Sequence, residues 1–266
     1  MSEKYKRRAD YILDAIFPRK CVCCDEIIDG EEELCDNCIR FIERVNPLKR
    51  CLLCGLEKPD CDCKYHVYHF KGAVAPFFNE GLAKTGLYDF KLNAKEHYSI
   101  FFAREMARTV ANELRDVHFD AAVCVPSSKI SYLKRGINHS FVLAKRVSEF
   151  LDIPLIKDSL LAKFHFGAQH KSDKFSRFKR VRKIFRYNTK CSTDLSGKTV
   201  LLIDDIKTTG ATLDECSRQL LLAGAKEIYC VTALITKYNK KEKKPKPVMT
   251  DKKAEKILSD FGNNIY

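Results

Sequence analysis

The sequence predicts an α/β fold in which helices flank a parallel sheet, with a small cysteine-rich module on its N-terminal side. An apolar run at 199–203 ends in paired acids and a Thr-Thr-Gly segment, which is typical of a buried parallel strand that leads through a loop into a helix. A second apolar run, 119–126, precedes a polar loop and a helix expected to start near Asn138. Nine of the thirteen cysteines lie between Cys21 and Cys63, mostly as closely spaced pairs.

We divide the chain into four segments. Residues 1–20 are expected to form an amphipathic helix, because apolar residues recur there at helical spacing. Residues 21–66 are the cysteine-rich module, and residues 67–236 are the α/β domain. Residues 237–266 are expected to be a largely disordered basic tail, since lysine and proline dominate its first half and apolar residues are scarce there.

Charge and hydropathy limit the class of protein. The formal net charge of +13 favours association with anions in general, without choosing among nucleotides, nucleic acids and acidic lipids. No stretch approaches the roughly 20 apolar residues that a membrane-spanning helix requires. The first residues do not resemble a secretory signal either. We therefore expect a cytoplasmic protein without membrane insertion, of unknown oligomeric state.

Two sets of four cysteines have the spacing of metal ligands. The first set is two C-x2-C pairs, Cys21, Cys24, Cys35 and Cys38. The second set combines C-x2-C with C-x-C, in Cys51, Cys54, Cys61 and Cys63. In a chain without a secretory signal such pairing favours metal over disulfides. Four thiolates in a tetrahedron suit Zn²⁺ better than Mg²⁺ or Ca²⁺ and leave no open position, so this zinc would be structural.

The spacing leaves some ligand choices open. Cys23 lies inside the first pair and competes with Cys24 for the metal. In the second set His66 or His69 is able to replace one thiolate, because imidazole is also a common zinc ligand. The sequence therefore predicts one or two structural Zn²⁺ ions.

The residues after the apolar run at 199–203 predict a phosphate site. Five small residues open the next helix, namely Thr208, Thr209, Gly210, Ala211 and Thr212. They allow backbone N–H groups to converge on a phosphate at the helix N-terminus, and the threonine hydroxyls add donors. The ionised side chains of Asp204 and Asp205 suit vicinal ribose hydroxyls, directly or through a divalent cation. The expected ligand contains a ribose 5-phosphate, and Lys207 either reaches it or faces solvent.

The segment 201–212, LLIDDIKTTGAT, resembles the signature of the type I phosphoribosyltransferases. The resemblance implies phosphoribosyl pyrophosphate as the ligand, bound with Mg²⁺, and Asp204 and Asp205 as the catalytic pair. In those enzymes the loop after an earlier strand binds pyrophosphate, and a flexible basic loop closes over it. The corresponding candidates here are Ser127, Ser128, Lys134 and Arg135 in the first loop and Arg177 in the second.

Combined with the cysteine module, these motifs resemble the ComF family, competence-associated phosphoribosyltransferase-like proteins with an N-terminal double zinc ribbon. Residues 16–18 fit the family's entry segment ahead of the cysteines, and residues 90–92 resemble its short lysine motif ahead of a long helix. Residues 134–140 resemble its Arg-Gly-Phe-Asn-Gln segment, where Ile137 replaces the aromatic residue and His139 the glutamine.

The resemblance leaves more than one functional class open. An enzyme would displace pyrophosphate from C1 of the sugar, with Mg²⁺ and basic side chains neutralising the leaving group. A non-catalytic protein would sense the same ligand and act with competence-machinery proteins. In a third class the cysteine module would be the main element of a nucleic-acid or protein adaptor. The interleaved aromatic and basic residues of 163–190 are suited to binding single-stranded DNA. Packing of those aromatics into the core is the simpler explanation of the same pattern.

Overall fold

A computed structural model describes residues 18–28, 32–61, 63, 66–92, 95, 97–127, 137–163, 181–182 and 184–237. Nearly all of the predicted helix at 1–20 and of the basic tail at 237–266 lies outside these residues. The predicted boundary between the cysteine-rich module and the α/β domain, at residues 66 and 67, stays a prediction.

The described chain contains five helices and eight strands. The helices are α1 (Asp36–Phe41), α2 (Gly81–Leu92), α3 (Tyr98–Glu113), α4 (His139–Leu151) and α5 (Ala211–Leu222). The strands are β1 (Gly72–Val74), β2 (Phe77–Phe78), β3 (Ala121–Cys124), β4 (Leu155–Ile156), β5 (Leu160–Ala162), β6 (Phe185–Tyr187), β7 (Thr199–Lys207) and β8 (Glu227–Ile235). Two single 3₁₀ turns, Pro47–Lys49 and Lys58–Asp60, lie among the cysteines.

Six of these strands form one parallel sheet in the order β1, β8, β7, β3, β4, with β2 also paired to β8. The strands β5 and β6 form a separate antiparallel ribbon. The predicted α/β fold with a parallel sheet and flanking helices is therefore confirmed. Parallel strands of this kind are covered on both faces, which explains their near-continuous apolar sequence.

Strand β7 is central, with β8 on one side and β3 on the other. Its residues Val200, Leu201, Leu202 and Ile203 are all fully buried. The sequence predicted a strand that ends at the two acids, whereas β7 continues through them to Lys207. The reason is that β8 is equally long and supplies backbone partners to the end, pairing Asp204 with Thr232 and Lys207 with Ile235.

Helices pack on the sheet and on each other. Helix α3 contacts α2, α4 and β8, and ten of its sixteen residues are buried, so most of its surface is covered. Helix α4 begins at the predicted place, because the side chain of Asn138 caps it by accepting from the backbone N–H of Phe141 at 3.3 Å. Within the described part of the chain, we find no helix with the length and apolar character needed to cross a membrane.

The cysteine segments share the core of the α/β domain. Cys21, Val22 and Cys38 belong to the same buried cluster as residues of α2 and α3. Cys54 and Leu56 belong to the cluster on the other side, with residues of β7 and β8. Both cysteine sets are therefore anchored on the sheet and its helices.

Candidate functional site

The predicted phosphate loop lies where β7 ends and α5 begins, at the carboxyl edge of the parallel sheet. This edge is where open α/β sheets bind ligands. Gly210 is the residue before α5 and has φ +82°, a left-handed conformation that glycine adopts without strain. A Cβ at this position would lie 3.1 Å from Tyr68 Cε1 and 3.2 Å from Lys207 Cε, so a larger residue would also crowd these two side chains.

The first turn of α5 leaves backbone donors available. The N–H of Asp214 donates to the carbonyl of Gly210 at 2.8 Å, and the N–H of Ala211 contacts Thr209 Oγ1 at 3.4 Å. Among the described residues, no acceptor is found for the N–H groups of Thr212 and Leu213. Together with the exposed Thr208, they form the donor set that a phosphate at a helix N-terminus uses.

The two acids lie side by side at the end of β7 in different environments. Asp204 is buried, and its Oδ1 accepts from Ser140 Oγ at 2.8 Å and from the backbone N–H of Asp205 at 2.9 Å. Burial, and then the neighbouring charge of Asp205, raise the pKa of Asp204 to about 7. Asp205 is more open and pairs with Lys91, with 2.6 Å between Nζ and Oδ2. The pair therefore offers one partly buried carboxylate and one buried carboxylate that titrates near neutrality.

Sequence reasoning did not assign Lys91 and Ser140 to the site. Lys91 is in the last turn of α2, far from β7 along the chain, and only the fold brings it to Asp205. Ser140 is in the first turn of α4, next to the capping residue Asn138. Both residues lie within the segments that resemble ComF motifs, which was the one available signal for them.

The loop after β3 is described in part. Ser127 donates from Oγ to Asn138 Oδ1 at 2.8 Å, so its hydroxyl is tied to the cap of α4. The other residues predicted to bind pyrophosphate, Ser128, Lys134, Arg135 and Arg177, lie outside the described residues. Their role stays a prediction.

Lys207 does not face solvent, because its side chain is buried with 2 % exposure. Its ammonium is 5.7 Å from the ring centroid of Tyr68. Burial lowers the pKa of Lys207, and nearby cysteines, Cys54 first among them, act in the opposite direction. Lys207 is therefore an interior lysine between the loop and the cysteines.

Each predicted cysteine set comes together in space, forming two clusters. The first cluster is Cys21, Cys24, Cys35 and Cys38, and the second cluster is Cys51, Cys54, Cys61 and Cys63. Within each, the four sulfur atoms lie within 4.8 Å of one another. The sulfur atoms of Cys24 and Cys35 are 3.7 Å apart, and those of Cys51 and Cys63 are 3.6 Å apart. Zinc bound by thiolates at about 2.3 Å separates the sulfurs by about 3.8 Å in a tetrahedron, so both clusters fit this ion.

The geometry decides between the alternative ligands. Cys23 is buried beside the first cluster without belonging to it, and burial with the charges of neighbouring thiolates raises its pKa to about 12. His66 and His69 instead contact Asp214 on α5. His69 Nδ1 is 2.9 Å from Asp214 Oδ1, and His66 Nε2 is 3.5 Å from Asp214 Oδ2. Burial alone would raise the pKa of Asp214, but the two histidines hold it at about 2.

Contacts from residues 21–43, the first cysteine segment, position helix α2, which carries Lys91. The carboxylate of Glu43 accepts from the backbone N–H groups of Leu82 and Ala83, both at 3.3 Å, and so caps the start of the helix. Gly86 lies against the first cysteine pair, and a Cβ there would be 2.5 Å from the carbonyl oxygen of Val22. The helix is thereby fixed along its length.

The far end of α2 is held by a charged network. Lys95 donates to Asp25, which follows the first cysteine pair, and to Asp89 at 3.0 Å. Tyr98, at the start of α3, donates to Asp25 as well. The first cluster is therefore linked to the helix end where Lys91 meets the acidic pair.

A cleft of about 610 Å³ opens elsewhere on the sheet. Its walls include Asp120 and Ala121 at the start of β3 and Lys198 just before β7. Because β3 and β7 are parallel, this is the amino end of both strands, whereas the acidic pair lies at the carboxyl end. The cleft is distinct from the candidate site.

Comparison with known proteins gives consistent matches. Residues 138–265 match the phosphoribosyl transferase domain family. The chain is 28% identical over 109 residues to Competence protein F of Haemophilus influenzae, a match that covers 41% of this chain and 47% of that relative, about half its length. It is 24% identical over 210 residues to Competence protein ComFC of Bacillus subtilis, covering 74% of this chain and 82% of the relative.

Among solved structures, a purine phosphoribosyltransferase from Pyrococcus horikoshii is 22% identical with a TM-score of 0.34, over 56% of this chain and 93% of that one. The parallel sheet, the acidic pair at the end of β7, the two cysteine clusters and the matched relatives together support a ComF-family protein of the phosphoribosyltransferase type.

Proposed function

We propose that this protein binds phosphoribosyl pyrophosphate together with Mg²⁺ at the carboxyl edge of its sheet. The observation that carries the proposal is the juxtaposition of Asp204 and Asp205 with the donor-rich start of α5. The phosphate of the ribose 5-phosphate group accepts hydrogen bonds from the amides and hydroxyls of 208–212. The vicinal hydroxyls of the sugar donate to the acids.

The residues also fit the cation. Carboxylate oxygens and pyrophosphate oxygens are the ligands that Mg²⁺ prefers, and Asp205 is the more open carboxylate. When bound, the ion neutralises charge on the departing pyrophosphate. Lys91, already 2.6 Å from Asp205 Oδ2, supplies a second positive charge on the same side.

For a transferase reaction the protein has little covalent chemistry to perform. Cleavage of the C1–pyrophosphate bond leaves positive charge on the sugar, and the site holds the sugar in place and stabilises the leaving group. Asp204, with a pKa near 7, fixes the sugar hydroxyls by hydrogen bonds while Ser140 holds its carboxylate. No nucleophilic side chain is needed.

The binding experiment uses isothermal titration with phosphoribosyl pyrophosphate, with and without Mg²⁺, alongside ribose 5-phosphate and pyrophosphate separately. We expect tight binding of the intact ligand only with Mg²⁺, and weaker binding of each half. Equal affinity for pyrophosphate alone would contradict the sugar-binding role of the acids.

Turnover is measured with the same protein and a panel of purine and pyrimidine bases. Magnesium-dependent release of pyrophosphate with one base makes the protein a transferase with that acceptor. Tight binding without release makes it a ligand sensor, the alternative that uses the same site.

We further propose that both cysteine clusters hold structural zinc and that the protein works in the cytoplasm. The support is the fit of each thiolate set to a tetrahedral ion and the fact that none of the thirteen cysteines forms a disulfide. The names of the two relatives support a role in competence.

In that role the protein would act beside incoming single-stranded DNA, and its net charge of +13 favours such a partner. The test is the affinity for single-stranded DNA against salt concentration, since several phosphate contacts produce a steep negative slope. A flat slope would exclude direct DNA binding and leave competence-machinery proteins as the partners.

A further inference from the structure

The second cluster is packed against the end of the strand that carries the site. Cys54 is fully buried, and Gly55 beside it has φ +78°. A Cβ on Gly55 would lie 2.7 Å from the carbonyl oxygen of Ala73 in β1 and 3.2 Å from Ile235 Cδ1 in β8. Ile235 is paired directly with Lys207, the last residue of β7. The cluster is therefore adjacent to the residue that precedes the 208–212 loop.

This position creates a need for compensating charge. Four thiolates around a divalent ion carry two net negative charges, and buried charge is costly unless it is paired. Lys207 is a buried lysine at this place, because it pairs with Ile235, the residue against which Gly55 of the second cluster packs. The charged cluster and the buried ammonium thus stabilise each other.

The side chains of Lys207 and Tyr68 also pack against the backbone of the 208–212 loop. Gly210 rests on both side chains, since a Cβ there would approach Tyr68 Cε1 at 3.1 Å and Lys207 Cε at 3.2 Å. The hydroxyl of Tyr68 donates to the carbonyl oxygen of Thr209 at 3.4 Å. The direction of the loop backbone, and with it the direction of its N–H groups, depends on these two side chains.

A further contact ties the same segment to α5. His69, one residue after Tyr68, donates from its backbone N–H to Asp214 Oδ1 at 2.7 Å. The first cluster is arranged differently, because its contacts are with α2 through Gly86 and with the Asp25 network. Among the described residues, therefore, only the second cluster is connected through its neighbours to the 208–212 loop.

We propose that Tyr68 and Lys207 are positioning residues that couple the metal state of the second cluster to the shape of the 208–212 loop. Metal at the second cluster, and not at the first, then sets the affinity for a phosphate-bearing ligand. The coupling itself concerns the loop; its effect on phosphoribosyl pyrophosphate rests on the proposed function.

The primary experiment compares Cys61→Ser with Cys24→Ser in the full chain. Zinc content measured with a chromogenic chelator shows how much metal each variant retains. Hydrogen exchange of segment 208–218 reports on the loop and the start of α5 without any ligand, and the β3 segment 121–124 reports on global stability. We expect exchange in 208–218 to rise roughly tenfold in Cys61→Ser and to stay unchanged in Cys24→Ser.

Tyr68→Phe provides a variant that keeps both clusters and the fold. It removes one hydrogen bond, for which we expect roughly fivefold weaker binding of phosphoribosyl pyrophosphate with unchanged zinc content. In the Cys61→Ser background the same substitution is expected to have no further effect, because the loop is already released. Lys207→Met is expected to speed zinc release from the second cluster alone.

The outcomes separate the two proposals. If wild type fails to bind the ligand but loop exchange still follows the second cluster, the proposed function is wrong and the coupling stands. If the ligand binds and loop exchange responds equally to both clusters, or to neither, the coupling is wrong. Additive effects of Tyr68→Phe and Cys61→Ser on affinity would also overturn it.

Discussion

The ammonium of Lys91 lies 2.6 Å from a carboxylate oxygen of Asp205, although the two residues come from α2 and β7. Their side chains are only 12% and 19% exposed, so the pair is shielded from solvent. Since α2 is positioned by the first cysteine segment, this contact joins the N-terminal cysteines to the acidic pair. It places Lys91 beside the proposed ligand site, which its position in the sequence does not reveal.

Replacement of Lys91 by methionine is expected to lower the stability of the fold and the affinity for the ligand. Loss of the ammonium leaves Asp205 unpaired and should lower the free energy of unfolding by about 2 kcal/mol, between the values for exposed and buried pairs. Binding of phosphoribosyl pyrophosphate should weaken by about tenfold or more, because the leaving group loses a countercharge. Lys84→Met, on an exposed position of the same helix, is the control. Equal behaviour of the two variants would exclude Lys91 from the site.

The raised pKa of Asp204 has a measurable effect on stability. Its pKa is about 7 in the folded protein, against an ordinary value of 3.8. The folded state therefore binds the proton more tightly than the unfolded state, and stability is lost as the pH rises from about 4 to about 7. Asp204→Asn mimics the protonated side chain and removes this loss.

Denaturant unfolding at pH 5 and pH 8 checks this expectation. The gain in unfolding free energy of Asp204→Asn over wild type should be larger at pH 8 by about 2 kcal/mol, since each pKa unit is worth about 1.4 kcal/mol. A gain that is the same at both pH values would mean that Asp204 is ionised throughout.

Gly210 and Gly197 form a matched pair for testing the loop. Both have a positive φ, +82° and +70°, so alanine at either site should cost about 1–2 kcal/mol of unfolding free energy. A Cβ at Gly197 meets nothing within 4 Å, whereas one at Gly210 meets Tyr68 and Lys207. We expect only Gly210→Ala to weaken ligand binding, by about tenfold or more. Comparable affinities in the two variants would show that the loop does not hold the phosphate.

Metal analysis of the purified protein should find two zinc ions per chain. Cys24→Ser and Cys61→Ser should each lose one equivalent, because a closed tetrahedral site uses all four thiolates of its cluster. Removal of both ions by a chelator should lower the melting temperature, since metal binding contributes to folding. One zinc ion in wild type, lost only in Cys24→Ser, would limit zinc to the first cluster.

Much of this structure could be predicted from local sequence. The buried runs of β3 and β7 are nearly continuous apolar segments, and the spacing of eight cysteines defines both clusters. The small residues of 208–212 are placed at the start of α5 by the strand before them. In each of these cases the signal and the structural feature occupy the same few residues, so no long-range contact has to be known.

What could not be predicted depends on contacts between distant segments. Lys91 reaches Asp205 only because α2 packs between the first cysteine segment and the sheet. The burial of Lys207 depends on the second cluster lying beside β8, which no local pattern indicates. His66 and His69 have the residue type and spacing of zinc ligands, and their contact with Asp214 follows from tertiary packing alone.

The central claim is that the acids at the end of β7 bind the sugar of a phosphoribosyl ligand. Calorimetric titration of phosphoribosyl pyrophosphate with Mg²⁺ into wild type and into the double variant Asp204→Asn, Asp205→Asn tests it most directly. We predict binding to wild type and a loss of about a hundredfold or more in the double variant, since both acceptors of charge-assisted hydrogen bonds are removed. Identical binding isotherms for the two proteins would contradict the claim.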